Sequence, residues 1–139
     1  MNFSAINWLA VVVCVLVSMV IGSLWYNPKT FFPTWWKAIG KSGEPGMFGA
    51  MGITWGLVIL AAFVQAVFMS LMVAAMGSMT GGATLGSGAF TGFILWLGFV
   101  APSSLTNKLF AGQLKAWVIE VGNHLVNYVA IGAILGAWH

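Results

Sequence analysis

Four stretches of this chain are apolar on every face, and each is long enough to cross a hydrocarbon layer as a helix. A spanning helix needs about 20 predominantly apolar residues rising about 1.5 Å each. Windows of that kind run from about Ile6 to Tyr26, Met51 to Met76, Leu85 to Leu105 and Trp117 to Trp138, and only Glu120 is charged inside any of them. Membrane barrel strands would alternate apolar and polar residues over about 10 positions. Val11 to Val17 and Leu57 to Phe63 show no alternation, so helices are predicted. The β-branched run Val11 to Val13 disfavours helix in water, but in lipid an unpaired backbone group costs several kcal/mol, which outweighs propensity.

The connection after the first window has its own pattern. Tyr26-Asn27-Pro28 ends the span, because Pro28 donates no hydrogen bond and pushes the preceding residue out of helical geometry. Pro33 then suits the first turn of a short helix, Thr34 to Ile39, closed by Gly40. Trp35 and Trp36 with Lys37 and Lys41 predict that this helix lies in the headgroup layer, rings inward and ammonium groups outward. Contact with a partner's acidic surface is the alternative. Glu44-Pro45-Gly46 reads as a turn before the second span. The expected fold is an all-α membrane protein: one domain over residues 1–139, four transmembrane helices and a short interfacial helix after the first.

A weak repeat runs through the chain. Leu24-Trp25, Pro28-Lys29 and Phe31 close the first span, and Leu95-Trp96, Pro102, Lys108 and Phe110 follow the same order at the end of the third. Lys37-Ala38 and Lys115-Ala116 then precede the next spans. The order suits two parallel helical hairpins related by an axis along the membrane normal.

Composition supports the membrane reading. Charged residues make up 5% of the 139 and hydrophobic residues 60%, against about 25% charged in soluble domains. A water-facing surface cannot be assembled from that inventory. Disorder is excluded too, because aromatic residues reach 14% and disordered chains are poor in them. The lysines (Lys29, Lys37, Lys41, Lys108, Lys115) all lie between spans one and two or between spans three and four. By the positive-inside rule those loops are cytoplasmic, which places both termini and the Gly77 to Gly88 connection on the outer face. The net charge of +3 fits attraction to an anionic inner leaflet and gives no basic groove for nucleic acid. The first span lacks the basic leader and small-residue cleavage site of a secretory signal. Cys14 has no partner for a disulfide and reads as a small core side chain.

Polar side chains inside the apolar windows carry the candidate chemistry. At 100° per residue, Glu120, Asn123, His124 and Asn127 fall within an arc of about 100° on the fourth span. Gln65 sits near the middle of the second. A carboxylate and an imidazole four residues apart can exchange a proton, and intramembrane ionisable groups often mark ion or proton paths. The plainer reading makes Glu120 an interfacial ion-pair partner of the nearby lysines, with His124 and Asn127 bonding across helices. Small residues four apart recur on every span: Ser18/Gly22, Gly52/Gly56, Gly88/Gly92 and Gly132/Gly136. Together they favour a tightly packed bundle, with little room to surround a solute unless a second copy or another membrane protein contributes. Met69, Met72, Met76 and Met79 follow helical spacing but suit adaptable packing better than copper binding. No phosphate-binding loop, nucleophile elbow or zinc motif occurs, so neither enzymatic chemistry nor a cofactor or metal site is expected.

Asn7-Trp8-Leu9-Ala10, Gly22-Ser23-Leu24-Trp25-Tyr26-Asn27-Pro28, Leu95-Trp96-Leu97-Gly98-Phe99, Pro102 with Leu105-Thr106-Asn107 and Leu109-Phe110, and Gly132-Ala133-Ile134-Leu135-Gly136 with Trp138 together resemble a family of small bacterial four-span membrane proteins of unknown function. The resemblance implies a four-helix protein of the bacterial inner membrane and supplies no catalytic residue. Family members read Ile-Asn-x-Gly-Tyr-His-Leu where this chain has Ile119-Glu120-Val121-Gly122-Asn123-His124-Leu125. The departures at 120 and 123 leave His124 and Gly122 as better candidates for a shared role. The leading expectation is a packing, self-associating or accessory membrane component whose polar stripe fixes helix register. The alternative is a small oligomeric transporter or channel for protons or a small solute.

Overall fold

The computed structural model describes residues 2–42 and 50–139, so the turn expected at Glu44-Pro45-Gly46 lies outside the described residues. It contains α1 (Trp8–Trp25), α2 (Phe32–Ala38), α3 (Ala50–Thr80), α4 (Leu85–Leu95), α5 (Ala101–Phe110) and α6 (Leu114–Ala137). A π turn, Trp96–Val100, joins α4 to α5. The segments Trp8–Trp25, Gly52–Thr80, Leu85–Phe110 and Leu114–Ala137 are long and apolar enough to cross a membrane. The four expected spans are therefore present, with α2 as the short helix after the first.

Local chemistry sets the ends. The Asn7 side chain accepts from Ala10 N at 3.1 Å and caps α1, satisfying one of the donors that a helix start leaves open. Thr84 and Ser87 form a reciprocal capping box at the start of α4. Gly81 and Gly82 take φ of +88° and +130° between α3 and α4, a region that side chains disfavour. The third span runs on to Phe110 instead of ending near Leu105. Pro102 has no N–H to continue the α ladder, and the Ala101 N–H reaches back to the Trp96 carbonyl, widening one turn. The Ser103 and Ser104 hydroxyls donate to the carbonyls of Phe99 and Val100 at 2.7 and 2.8 Å, so the polar residues there bond to their own helix and do not stop it.

Packing is closest between α4 and α6. A methyl group built on Gly88 would overlap the Gly132 carbonyl oxygen, one on Gly92 that of Tyr128, and one on Gly136 that of Thr84. The two backbones touch, an approach only glycine permits. The other small-residue pairs behave differently: Gly22, Gly52 and Gly56 face nothing within 4 Å. Two of the four expected contacts therefore form within the chain.

A dry layer of Ala10, Val11, Cys14, Ala66, Val73, Ile131 and Leu135 joins α1, α3 and α6, each residue at most 2% exposed. Leu16, Val20, Leu24, Leu57, Leu97 and Phe99 are exposed. Large apolar side chains facing outward are what a hydrocarbon solvent favours, and the reverse of what water would. Below the dry layer, residues 52–61 of α3 are exposed on every side, so the first half of α3 stands away from α1.

Candidate functional site

The divergence of α3 from α1 opens a cavity of about 600 Å³ whose third wall is α6. Ser18 and Ser23 come from α1, Gln65 from α3, and Asn123, His124 and Asn127 from α6. Between them run Met19, Trp55, Val58 and Ala62, with Tyr26, Pro28 and Phe32 near the α2 end. A mostly apolar wall carrying a few convergent polar groups is the usual form of a small-molecule site. The cavity is lined by one chain, where α3 leans out.

The polar stripe on α6 is divided in two. Asn123, His124 and Asn127 reach the cavity together with Gln65. Glu120, the fourth member, is engaged at the bundle end: its Oε1 accepts from Trp35 Nε1 at 2.8 Å and pairs with Lys108 Nζ at 3.2 Å. One carboxylate thus ties α2 and α5 to α6. Lys108 also donates to Gln113 Oε1 at 3.4 Å, and Gln113 Nε2 donates to the Ile39 carbonyl at 3.1 Å. Trp35 stands edge-on to Tyr26, ring centroids 5.1 Å apart, so α2 is fastened beside the cavity. Trp36 stacks on Phe32 at 5.5 Å and has Lys41 Nζ 6.0 Å from its ring centre, while Lys37 is exposed in the last turn of α2.

Within the cavity wall the hydrogen bonding is incomplete. Ser18 Oγ, Asn123 Oδ1 and Asn127 Oδ1 are buried without a partner, and Asn127 as a whole is only 7% exposed. Leaving a buried polar atom unpaired costs about 1–3 kcal/mol, and native structures hold few such atoms. Among the described residues the asparagine oxygens make no bond across helices, so cross-helix bonding by them does not account for the stripe. Helix register is set elsewhere, by the glycine contacts of α4 with α6 and by indole donors. Trp25 Nε1 donates to the Ile119 carbonyl, Trp96 Nε1 to that of Val121, and Trp117 Nε1 to that of Ala101.

These indole bonds are absent from the sequence reading, which treats tryptophan as an interfacial residue. The signal that could have found one of them is Gly122. A methyl there would stand 2.9 Å from Trp25 Cζ2, so the glycine makes room for the ring.

Among the described residues, no group of three His, Cys, Asp or Glu could hold a metal ion. A family model described as "Protein of unknown function (DUF1761)" matches residues 9–136, and the chain belongs to that family. Comparison with curated proteins and with solved structures gives no match.

Proposed function

We propose that this member of a family without an assigned activity carries a small polar solute across the bacterial inner membrane by way of the cavity between α1, α3 and α6. The observation that carries the reading is Asn127: a carboxamide 7% exposed, on the wall of a cavity of about 600 Å³, with its oxygen unpaired. A group kept only to hold helices together would be bonded to one of them. Polar residues at such depth that line a cavity are characteristic of substrate paths.

The chain crosses four times, with the lysine-bearing loops in the cytoplasm and both termini outside. The cavity lies in the half of the bundle nearest those loops, and the dry layer of Val11, Cys14, Ile131 and Leu135 closes it above. On this reading the path opens to the cytoplasm and is shut on the outer side. Passage requires the dry layer to part and no covalent chemistry from the protein. The alternative, a packing or accessory subunit, draws support from the backbone contact of α4 with α6 but gives no role to the unpaired amides.

Alkylation tests the reading. His124 and Ile131 are seven residues apart on one face of α6, the first on the cavity wall and the second in the dry layer. In a Cys14→Ala background in native membranes, iodoacetamide is expected to modify His124→Cys at least about tenfold faster than Ile131→Cys, since thiol reactivity requires access. Equal protection of the two positions sinks the proposal.

A further inference from the structure

The kind of solute can be read from what the cavity lacks. Resting on the reading above, we propose that the cavity selects small uncharged molecules bearing hydroxyl or carboxamide groups, of the polyol or urea class, and rejects ions of either sign.

Among the described residues, no lysine, arginine, aspartate or glutamate lines it. Glu120, one turn before His124 on α6, is already paired with Lys108 at 3.2 Å and bonded to Trp35. An ion brought into this site would lose its hydration without meeting a countercharge, and such a charge is far more costly to bury than a neutral hydrogen-bonding group. Carboxamides offer both donors and acceptors, so Gln65 and Asn127 can bond to a neutral polar solute whichever way round it lies. The unpaired atom on Asn127 is a second observation pointing the same way. As it stands that oxygen is out of a solute's reach; a half-turn of the amide exchanges it with the nitrogen, and a solute with both donor and acceptor groups suits either end of the amide.

Depth favours a small solute over a membrane amphiphile. Gln65 is roughly 20 Å along the spanning part of α3, and Asn127 roughly 20 Å from the start of α6. Gln65 and Asn127 therefore lie at the inner end of the cavity, near the middle of the bundle, with Ser23, Tyr26, Asn27 and Phe32 toward its α2 end. An amphiphile keeps its headgroup at the interface, whereas a small solute entering from water reaches the polar end. At about 30 Å³ per water, the volume holds roughly twenty waters, enough for a polyol of a few carbons with part of its hydration.

The test uses the full chain in phosphatidylcholine vesicles and radiolabelled glycerol, urea, choline and phosphate. Glycerol or urea uptake is expected to exceed that of protein-free vesicles by about tenfold, with choline and phosphate at the protein-free rate. Asn127→Leu and Gln65→Leu are each expected to remove most of the excess, and Asn127→Gln to retain more of it than Asn127→Leu. Choline or phosphate entering as fast as glycerol overturns the selectivity while leaving a transport path in place. No excess uptake of either neutral solute, with His124→Cys still readily alkylated, overturns the solute class while leaving the cavity accessible. Failure of the alkylation test itself removes the path on which this proposal rests. Because selectivity is read on the unaltered chain, a variant that fails to fold does not decide the outcome.

Discussion

Trp25 and Trp96 donate their indole N–H groups to carbonyls two residues apart on α6, those of Ile119 and Val121, each at 2.9 Å. One comes from α1 and the other from the π turn of the third span, so α6 is held from two sides at one level. Both are the second residue of the Leu-Trp pairs that mark the weak repeat. The shared sequence pattern thus has a shared structural use: each hairpin's first span supplies an indole donor to the same short piece of backbone.

Removing either donor should weaken the bundle by a similar, modest amount. The accepting carbonyls belong to a helix and keep their ladder bonds, so Trp25→Phe and Trp96→Phe are each expected to cost about 1 kcal/mol. Gly122→Ala pushes against the Trp25 ring and disturbs the same bond. The double variant Gly122→Ala/Trp25→Phe should therefore lose less than the sum of the two single changes. Equilibrium unfolding in mixed micelles measures all four proteins; strict additivity would show that Gly122 and Trp25 act independently.

Glycines on the two kinds of face should respond in opposite ways. Gly88→Val and Gly132→Val drive side-chain atoms into backbone carbonyls that cannot move aside, and overpacking costs about 1–3 kcal/mol even where neighbours can yield. Gly52→Val and Gly56→Val enter open space and are expected to change stability by no more than about 0.5 kcal/mol. Thermal unfolding in detergent should separate the two pairs by several degrees. Equal losses at Gly56 and Gly88 would contradict the packing described here.

How far the sequence can be read depends on which solvent wrote the pattern. The four spans are legible because hydrocarbon requires about 20 apolar residues in a row. The short helix is legible because Pro33 and Gly40 punctuate it. Counting residues inward from Trp117 puts Glu120 near Lys108, where the ion pair sits. Register and tilt leave no such trace. Gly88/Gly92 and Gly52/Gly56 look alike in the sequence, although one pair meets another backbone and the other meets nothing. The cavity is invisible for the same reason: it exists because α3 leans away from α1, a tertiary fact that the periodicity of neither helix contains. The split between Glu120 and the rest of its stripe arises because Lys108 and Trp35 reach Glu120 from α5 and α2.

Glu120 should matter through the helices it joins. Its side chain is 17% exposed and that of Lys108 24%, so solvent screens the pair in part and its net worth is modest. Glu120→Gln keeps an oxygen for the Trp35 indole and gives up only the charge, whereas Glu120→Leu leaves both Trp35 and Lys108 without an acceptor there. We expect tryptic cleavage after Lys37 to speed up about fivefold or more in Glu120→Leu as α2 loosens, and to change by less than about twofold in Glu120→Gln. Equal cleavage rates in all three proteins would mean that other contacts hold α2.

Asn127→Leu provides the sharpest contrast between stability and activity. In a bundle held by its polar stripe, removing a buried amide would break bonds and lower the unfolding temperature. Here the Asn127 oxygen has no partner, and leucine, of similar size, relieves a penalty of about 1–3 kcal/mol while filling the same space. The variant is therefore expected to unfold at a higher temperature than the unaltered chain by a few degrees, and at the same time to lose most of its solute uptake. That pairing is the usual mark of a polar group retained for function at a cost in stability. A drop in unfolding temperature would show that Asn127 is bonded in the folded protein after all, and would return the stripe to a role in packing.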